Sequence, residues 1–239
     1  MSKDQHVEHH RPSDQIDTQH FIRDLSEQQR MRRIYEDFKR GFDVLQETTN
    51  TVTFFGSARF TENHHYYKVA RQLSARLADE LDIATVTGGG PGIMEAGNRG
   101  AKEAGGVSVG MTIQLPHEQV TNPYLTDTAN FYYFFSRKVS LAFGARAFVL
   151  FPGGFGTLDE FFEIITLMQT KKIPTVPVVL IGQDFWEPLL EFINTKLKDE
   201  FSTIDDHDTN LYTLTDDLDV AVNIIAAGRG NGNNSTSST

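Results

Sequence analysis

Residues 147–168 constrain this chain more than any other stretch. An apolar run, Ala147-Phe148-Val149-Leu150-Phe151, leads into Pro152-Gly153-Gly154-Phe155-Gly156-Thr157-Leu158-Asp159-Glu160 and then into the amphipathic run Phe161-Phe162-Glu163-Ile164-Ile165-Thr166-Leu167-Met168. That order reads as strand, glycine turn and helix. Gly153, Gly154 and Gly156 let backbone N–H groups stand bare at a helix N-terminus, where an anion can sit. The hydroxyl of Thr157 and the carboxylate of Glu160 follow within about one helical turn. One short segment thus carries a phosphate cradle beside a candidate catalytic acid. Glu160 also fits a second reading, since Thr157 and Glu160 have the Ser/Thr-x-x-Glu spacing of a capping box. The residues alone leave both readings open.

A second glycine turn, Thr87-Gly88-Gly89-Gly90-Pro91-Gly92, follows the apolar stretch Ala84–Thr87 and precedes a helix over 92–104. It is not a Walker A loop, because no Lys-Ser/Thr follows. Nor is it the Gly-x-Gly-x-x-Gly turn of dinucleotide folds, because Ile93 stands where the third glycine should fall. A tight turn with close helix–strand packing explains it alone; beside the first turn, an anion site is the better expectation.

From Thr51 the chain alternates. Strands are expected at Thr51–Phe55 (closed by Gly56-Ser57), 84–87, 107–113, 131–135, 147–151 and 211–215. A further strand at 175–181, with prolines at 174 and 177, is placed towards a sheet edge. Helices are expected at 65–81, with Val69, Leu73, Leu77 and Leu81 on one face, and at 92–104, 136–143, 186–197 and 218–227. Strict alternation implies an α/β fold, a doubly wound, mainly parallel sheet with helices on both faces. Ligands of such sheets bind beyond the carboxyl ends of the strands, where Gly56-Ser57 and both glycine turns fall.

Before that domain, residues 1–17 read as a disordered tail, and 18–47 as an amphipathic helix that packs on the domain or on a partner subunit. The domain itself spans 48–227, and 228–239 form a second disordered tail. The formal net charge of −10 over 239 residues argues against a nucleic-acid polymer as partner. The absence of cysteine excludes disulfides, thiolate zinc sites and cysteine nucleophiles. No apolar run reaches a membrane span and the N-terminus lacks an apolar signal core, so a cytoplasmic protein that does not touch a membrane is expected. His6, His9 and His10, the pair His64-His65, His117 and His207 lack metal-site spacing, and no metal is expected.

Arg137 and Lys138 start a helix just after the aromatic run 131–135. Cations at a helix N-terminus oppose its dipole, which points to an anion nearby. The aromatics read as core rather than as a base-stacking platform.

Four segments in order, Phe55-Gly56-Ser57, Thr87 to Met94, Arg137-Lys138 and Pro152 to Glu160, resemble the LOG (Lonely Guy) family, also catalogued as lysine-decarboxylase-like proteins. The resemblance runs from about Thr51 to Gly182. Leu115-Pro116-His117-Glu118-Gln119 with Asn122-Pro123-Tyr124 resembles the bacterial members related to nucleotide nucleosidases. The resemblance implies a Rossmann-like fold and hydrolysis of the N-glycosidic bond of a nucleoside 5′-monophosphate, AMP-like or a cytokinin riboside, to free base and ribose 5-phosphate. It implies Arg137 and Glu160 as the catalytic pair, and Lys138, Gly153, Gly154, Phe155, Gly156, Thr157 and Thr166 as substrate-binding. With the other turns, Gly56, Ser57, Gly88, Gly89, Gly90, Gly92 and Met94 complete the expected substrate-binding set. It also implies a homodimer or higher homo-oligomer. No cofactor is expected, and the pyridoxal phosphate that a decarboxylase label would bring finds no persuasive lysine. The alternative is a non-catalytic protein that senses a nucleotide or alarmone through the same pocket.

Overall fold

The computed structural model describes residues 25–48, 50–114 and 121–228. The expected tails at 1–17 and from 229 onward, the helix start at 18–24 and the Leu115–Gln119 motif lie outside these residues. Among the described residues one seven-stranded sheet forms, in the order β4-β3-β2-β1-β5-β6-β7. Its strands are β1 (Thr51–Phe55), β2 (Ala84–Thr87), β3 (Ser108–Ile113), β4 (Asp127–Phe131), β5 (Ala145–Leu150), β6 (Val178–Leu180) and β7 (Thr213–Leu214), and every neighbouring pair is parallel. The chain winds outward from β1 through β4, then returns to β5 on the other side of β1. The expected doubly wound α/β sheet is the fold observed.

Helices cover both faces because β1 and β5 bury both of theirs. On one face α2 (His65–Leu81), α3 (Ile93–Glu103) and α7 (Leu218–Ala227) pack with Val52, Phe54, Val149 and Phe151. The buried stripe of α2 runs through Tyr67, Ala70, Leu73 and Leu77, with Val69 and Leu81 at its margin. On the other face lie α4 (Phe134–Phe143), α5 (Phe155–Gln169) and α6 (Gln183–Phe192), with Phe148, Leu150, Phe161, Trp186 and Phe131 in the core. Burying each such side chain contributes about 1.5–3 kcal/mol.

Several boundaries differ from expectation. The helix expected at 186–197 is α6, starting at Gln183 and running into a π-helical stretch Ile193–Glu200, and the strands expected at 175–181 and 211–215 shorten to β6 and β7. The strand expected at 131–135 ends at Phe131, where that expectation began it. The alternating stretch Asp127–Phe131 takes the sheet edge, and Phe134 and Phe135 already belong to α4. Aromatic β-propensity lost to the amides of Tyr132 and Tyr133, which turn away from the sheet to a carboxylate on the N-terminal helix. The proline-flanked strand β6 lies one position in from the edge, with short β7 outside it.

The N-terminal helix α1 (Glu27–Glu47) opens with a capping box between Ser26 and Gln29 and packs against α4 and β4. No helix among the described residues is long and apolar enough to cross a membrane.

Candidate active site

The site lies where the winding reverses, between β1 and β5. Backbone bonds tie the loops there: Ser57 N donates to Pro152 O at 3.0 Å, and Ile93 N donates to Ser57 O at 3.0 Å. The loops after β1, β2 and β5 therefore close one floor. Above it opens a cavity of about 800 Å3, at the place where doubly wound sheets bind ligands.

Of the residues expected at the site, Gly56, Ser57, Gly88, Met94, Arg137, Lys138, Gly153, Gly154, Phe155, Gly156, Thr157 and Glu160 line this cavity. Gly89, Gly90 and Gly92 are buried outside the lining, and Thr166 is exposed on α5 away from it. Arg59, Phe60, Phe134, Asp159 and Phe185 also line it and were not anticipated. Arg59 had a signal: it is a cation two residues beyond the Gly56-Ser57 turn.

Arg137 reaches across from α4. Its Nε donates to Met111 O at 2.7 Å and one terminal nitrogen donates to Gly88 O at 3.4 Å. Gly88 is glycine for this reason, since a Cβ there would stand 2.0 Å from that nitrogen. Burial lowers the Arg137 pKa from its ordinary value, and the nearby Glu160 charge works the other way; a guanidinium stays charged regardless. Lys138 forms ion pairs with Asp159 at 2.7 Å and Glu163 at 2.8 Å. Burial opposes its charge, but these two partners outweigh it and raise its pKa above the ordinary lysine value.

Glu160 faces the cavity from α5. Burial is the main cause that raises its pKa to about 7, helped by Glu163 and Asp159 and opposed by Lys138 and Arg137. A carboxyl poised there can both give and take a proton near neutrality. The capping-box reading fails on register. The cap of α5 is Gly154, so Thr157 and Glu160 lie inside the helix, and neither side chain caps it. Gly153 is needed because a Cβ there would approach Thr157 Oγ1 to 2.1 Å.

The amides of Gly154, Phe155 and Gly156 open α5 and find no acceptor among the described residues. A helix of 15 residues stands behind them, which makes them a candidate anion site facing the cavity. Phe155 projects beside them with 94% of its surface exposed.

The first turn behaves differently. Gly89 N donates to the Thr87 hydroxyl oxygen at 2.9 Å, Gly89 O and Gly90 O accept from Asn122, and Asn98 joins Thr87, Ser108 and Asn122 beneath. Of the amides expected to hold an anion there, Gly89 N is spent on Thr87, and Gly90 and Gly92 are buried outside the cavity lining. His64 caps α2 by accepting from Tyr66 N, and stacks on Phe60 at 3.8 Å.

Sequence reading also missed Asp37, wholly buried on α1. It accepts from the amides of Tyr132 and Tyr133 and from Ser136 Oγ just ahead of Arg137 and Lys138, while Lys138 itself pairs with Asp159 and Glu163. Its signal was a charge on the apolar stripe of an amphipathic helix, between Ile34 and Gly41.

Fold and cleft define a doubly wound α/β protein whose open helix start shares a cavity with a half-buried acid and guanidinium. Residues 94–225 match the model of the family described as "Possible lysine decarboxylase", and the chain belongs to that family, which includes the LOG proteins. Among curated relatives it is 32% identical over 139 residues to the cytokinin riboside 5′-monophosphate phosphoribohydrolase LOG2 of Arabidopsis thaliana, covering 57% of this chain and 64% of that one. It is likewise 32% identical over 139 residues to the LOG enzyme of Oryza sativa subsp. japonica, covering 57% of each. The matched segment thus spans less than two thirds of these relatives. Among solved structures, TM1055 superposes with a TM-score of 0.54 at 24% identity over 74% of this chain and 99% of that one. The molybdenum cofactor carrier protein of Chlamydomonas reinhardtii gives 0.56 at 22% over 76% and 98%. Both likenesses concern the fold.

The decarboxylase description would bring pyridoxal phosphate, which needs an uncharged lysine amine. Lys138 is the lysine on the cavity wall among the described residues, and two carboxylates hold it as an ammonium. The residues do not fit that cofactor.

Proposed function

We propose that this protein hydrolyses the N-glycosidic bond of a nucleoside 5′-monophosphate, releasing free base and ribose 5-phosphate. One observation carries the reading: Glu160, with its pKa raised to about 7, and Arg137 face the same cavity as the unpartnered amides of Gly154, Phe155 and Gly156. The relatives' names support it, since they act on cytokinin riboside 5′-monophosphates. In this reading the α5 amides and Thr157 bind the 5′-phosphate, and Arg137 adds the positive charge that the paired Lys138 cannot. The protonated Glu160 gives its proton to the departing base as the C–N bond breaks. The resulting carboxylate stabilises the oxocarbenium-like sugar and takes a proton from the water that adds to it. The cavity, with Phe60, Phe134 and Phe185 on its walls, leaves room for a purine or an N6-substituted one. A second copy of the chain is the proposed partner, since Phe134, Val139 and Phe143 stand exposed on α4; light scattering that shows a monomer removes it.

The test is incubation with AMP, GMP, CMP and isopentenyl-AMP, with free base and ribose 5-phosphate followed by chromatography. Release from at least one is expected. Calorimetric binding of AMP with no release makes the protein a nucleotide sensor, and no binding and no release from folded protein rejects the site.

A further inference from the structure

Asp37 is a carboxylate with no exposed surface, on a helix that lies outside the matched family segment. Its acceptors are fully engaged by the start of α4. Tyr132 N donates to both of its oxygens at 3.1 and 3.0 Å, Tyr133 N at 2.9 Å and Ser136 Oγ at 2.7 Å, with Arg40 completing the shell at 2.7 Å. Tyr133 is the N-cap of α4 and makes no cap bond with its own side chain. A carboxylate more than 90 residues away in sequence instead holds the N-cap amide, the amide before it and the Ser136 hydroxyl of the first turn.

The crossing is close enough to hold this contact in register. Gly41, one turn on, seats α1 against α4: a Cβ there would lie 2.4 Å from Ser140 Oγ and 2.8 Å from Phe131. Leu45 fills the space beside Gly144 at the far end of α4. Burying a carboxylate is costly unless it is fully bonded, so such a placement tolerates little drift of either helix.

One residue beyond Ser136 come Arg137 and Lys138. Arg137 reaches Met111 O and Gly88 O, and Lys138 spans Asp159 and Glu163. We propose that Asp37 is a positioning residue: through the first turn of α4 it sets the reach of Arg137 and Lys138 into the cavity, making the N-terminal helix part of the site's machinery. The proposal rests on the reading of that cavity as the site of nucleotide hydrolysis.

The experiment compares wild type, Asp37→Asn and Ser136→Ala, with Lys39→Ala on the exposed side of α1 as control. Asp37→Asn sets an NH2 against backbone donors, whereas Ser136→Ala removes one bond and keeps the charge. With thermal midpoints confirming folded protein, kcat should fall roughly 10- to 100-fold in Asp37→Asn, with a much smaller change in KM, and less in Ser136→Ala. Lys39→Ala should match wild type. Reductive methylation of Lys138, read by mass spectrometry against Lys39, should rise about threefold or more in Asp37→Asn as its ion pairs loosen. If Asp37→Asn does not fold, Ser136→Ala decides. Unchanged kcat and unchanged Lys138 labelling in a folded variant overturn the proposal, as does an activity loss equal to the fraction unfolded. If wild type hydrolyses no nucleotide, the hydrolase reading falls separately, and Lys138 labelling still judges Asp37.

Discussion

The two glycine turns look alike in sequence and do opposite work in the fold. The turn after β2 is closed: Gly89, Gly90 and Gly92 are buried, Asn122 bonds the carbonyls of Gly89 and Gly90 and is itself held by Asn98, and Gly88 makes room for Arg137. The turn after β5 is open, with Gly154 and Gly156 exposed and no atom within 4 Å of where their Cβ atoms would stand. Glycine serves close approach in the first and bare amides in the second. A Gly-rich turn before a helix is therefore an anion site only where the helix start faces a cavity and its donors are unspent.

The largest expected effect sharpens what the open turn is for. Glu160→Gln should lower kcat/KM for the hydrolysed nucleotide by about 100-fold or more while AMP still binds, measured by steady-state kinetics beside calorimetry. The same variant has a stability signature. Between the ordinary 4.5 and about 7, folded protein holds a proton at Glu160 that the unfolded chain has released, so rising pH favours unfolding across that window. Glu160→Gln removes this loss, and its thermal midpoint should exceed that of wild type at pH 8, with the gap closing towards pH 4.5.

Gly92→Ala attacks the closed turn. Its φ of +72° is costly for alanine, and the added Cβ would stand 2.2 Å from Ser57 O. A loss of about 1–3 kcal/mol is expected in urea unfolding. Gly88→Ala should leave more stability but displace Arg137, with a fall in kcat/KM of roughly tenfold. The smallest effect belongs to the open turn. Gly156→Ala sits in the first turn of α5 with nothing to strike, and should change stability by about 0.5 kcal/mol or less, or raise it. A large destabilisation there, or none at Gly92, would erase the distinction between the turns.

Much of this was legible because it is local. Strand–helix alternation exposed the sheet, and Pro152–Glu160 exposed the acid beside the helix start. The boundary of β4 was not legible, because the aromatic run 131–135 has strand composition while the amides of Tyr132 and Tyr133 answer to a carboxylate in α1. That boundary also changes the dipole reading of Arg137-Lys138: α4 begins at Phe134, so both cations lie past its first three residues, and Lys138 is paired with Asp159 and Glu163. The choice between cap and acid for Glu160 hung on where α5 begins, and a start at Phe155 puts Glu160 in the second turn.

By itself, the sequence determined the periodicities, the turns and therefore the doubly wound class, since hydrophobic spacing and glycine placement act within a few residues. Tertiary structure decided which turn opens its amides to the cavity, which cations are spent and how Glu160 comes to titrate near neutrality. Those properties depend on burial and on partners such as Asp37, Met111 and Asn122, brought together from distant positions only when the sheet closes.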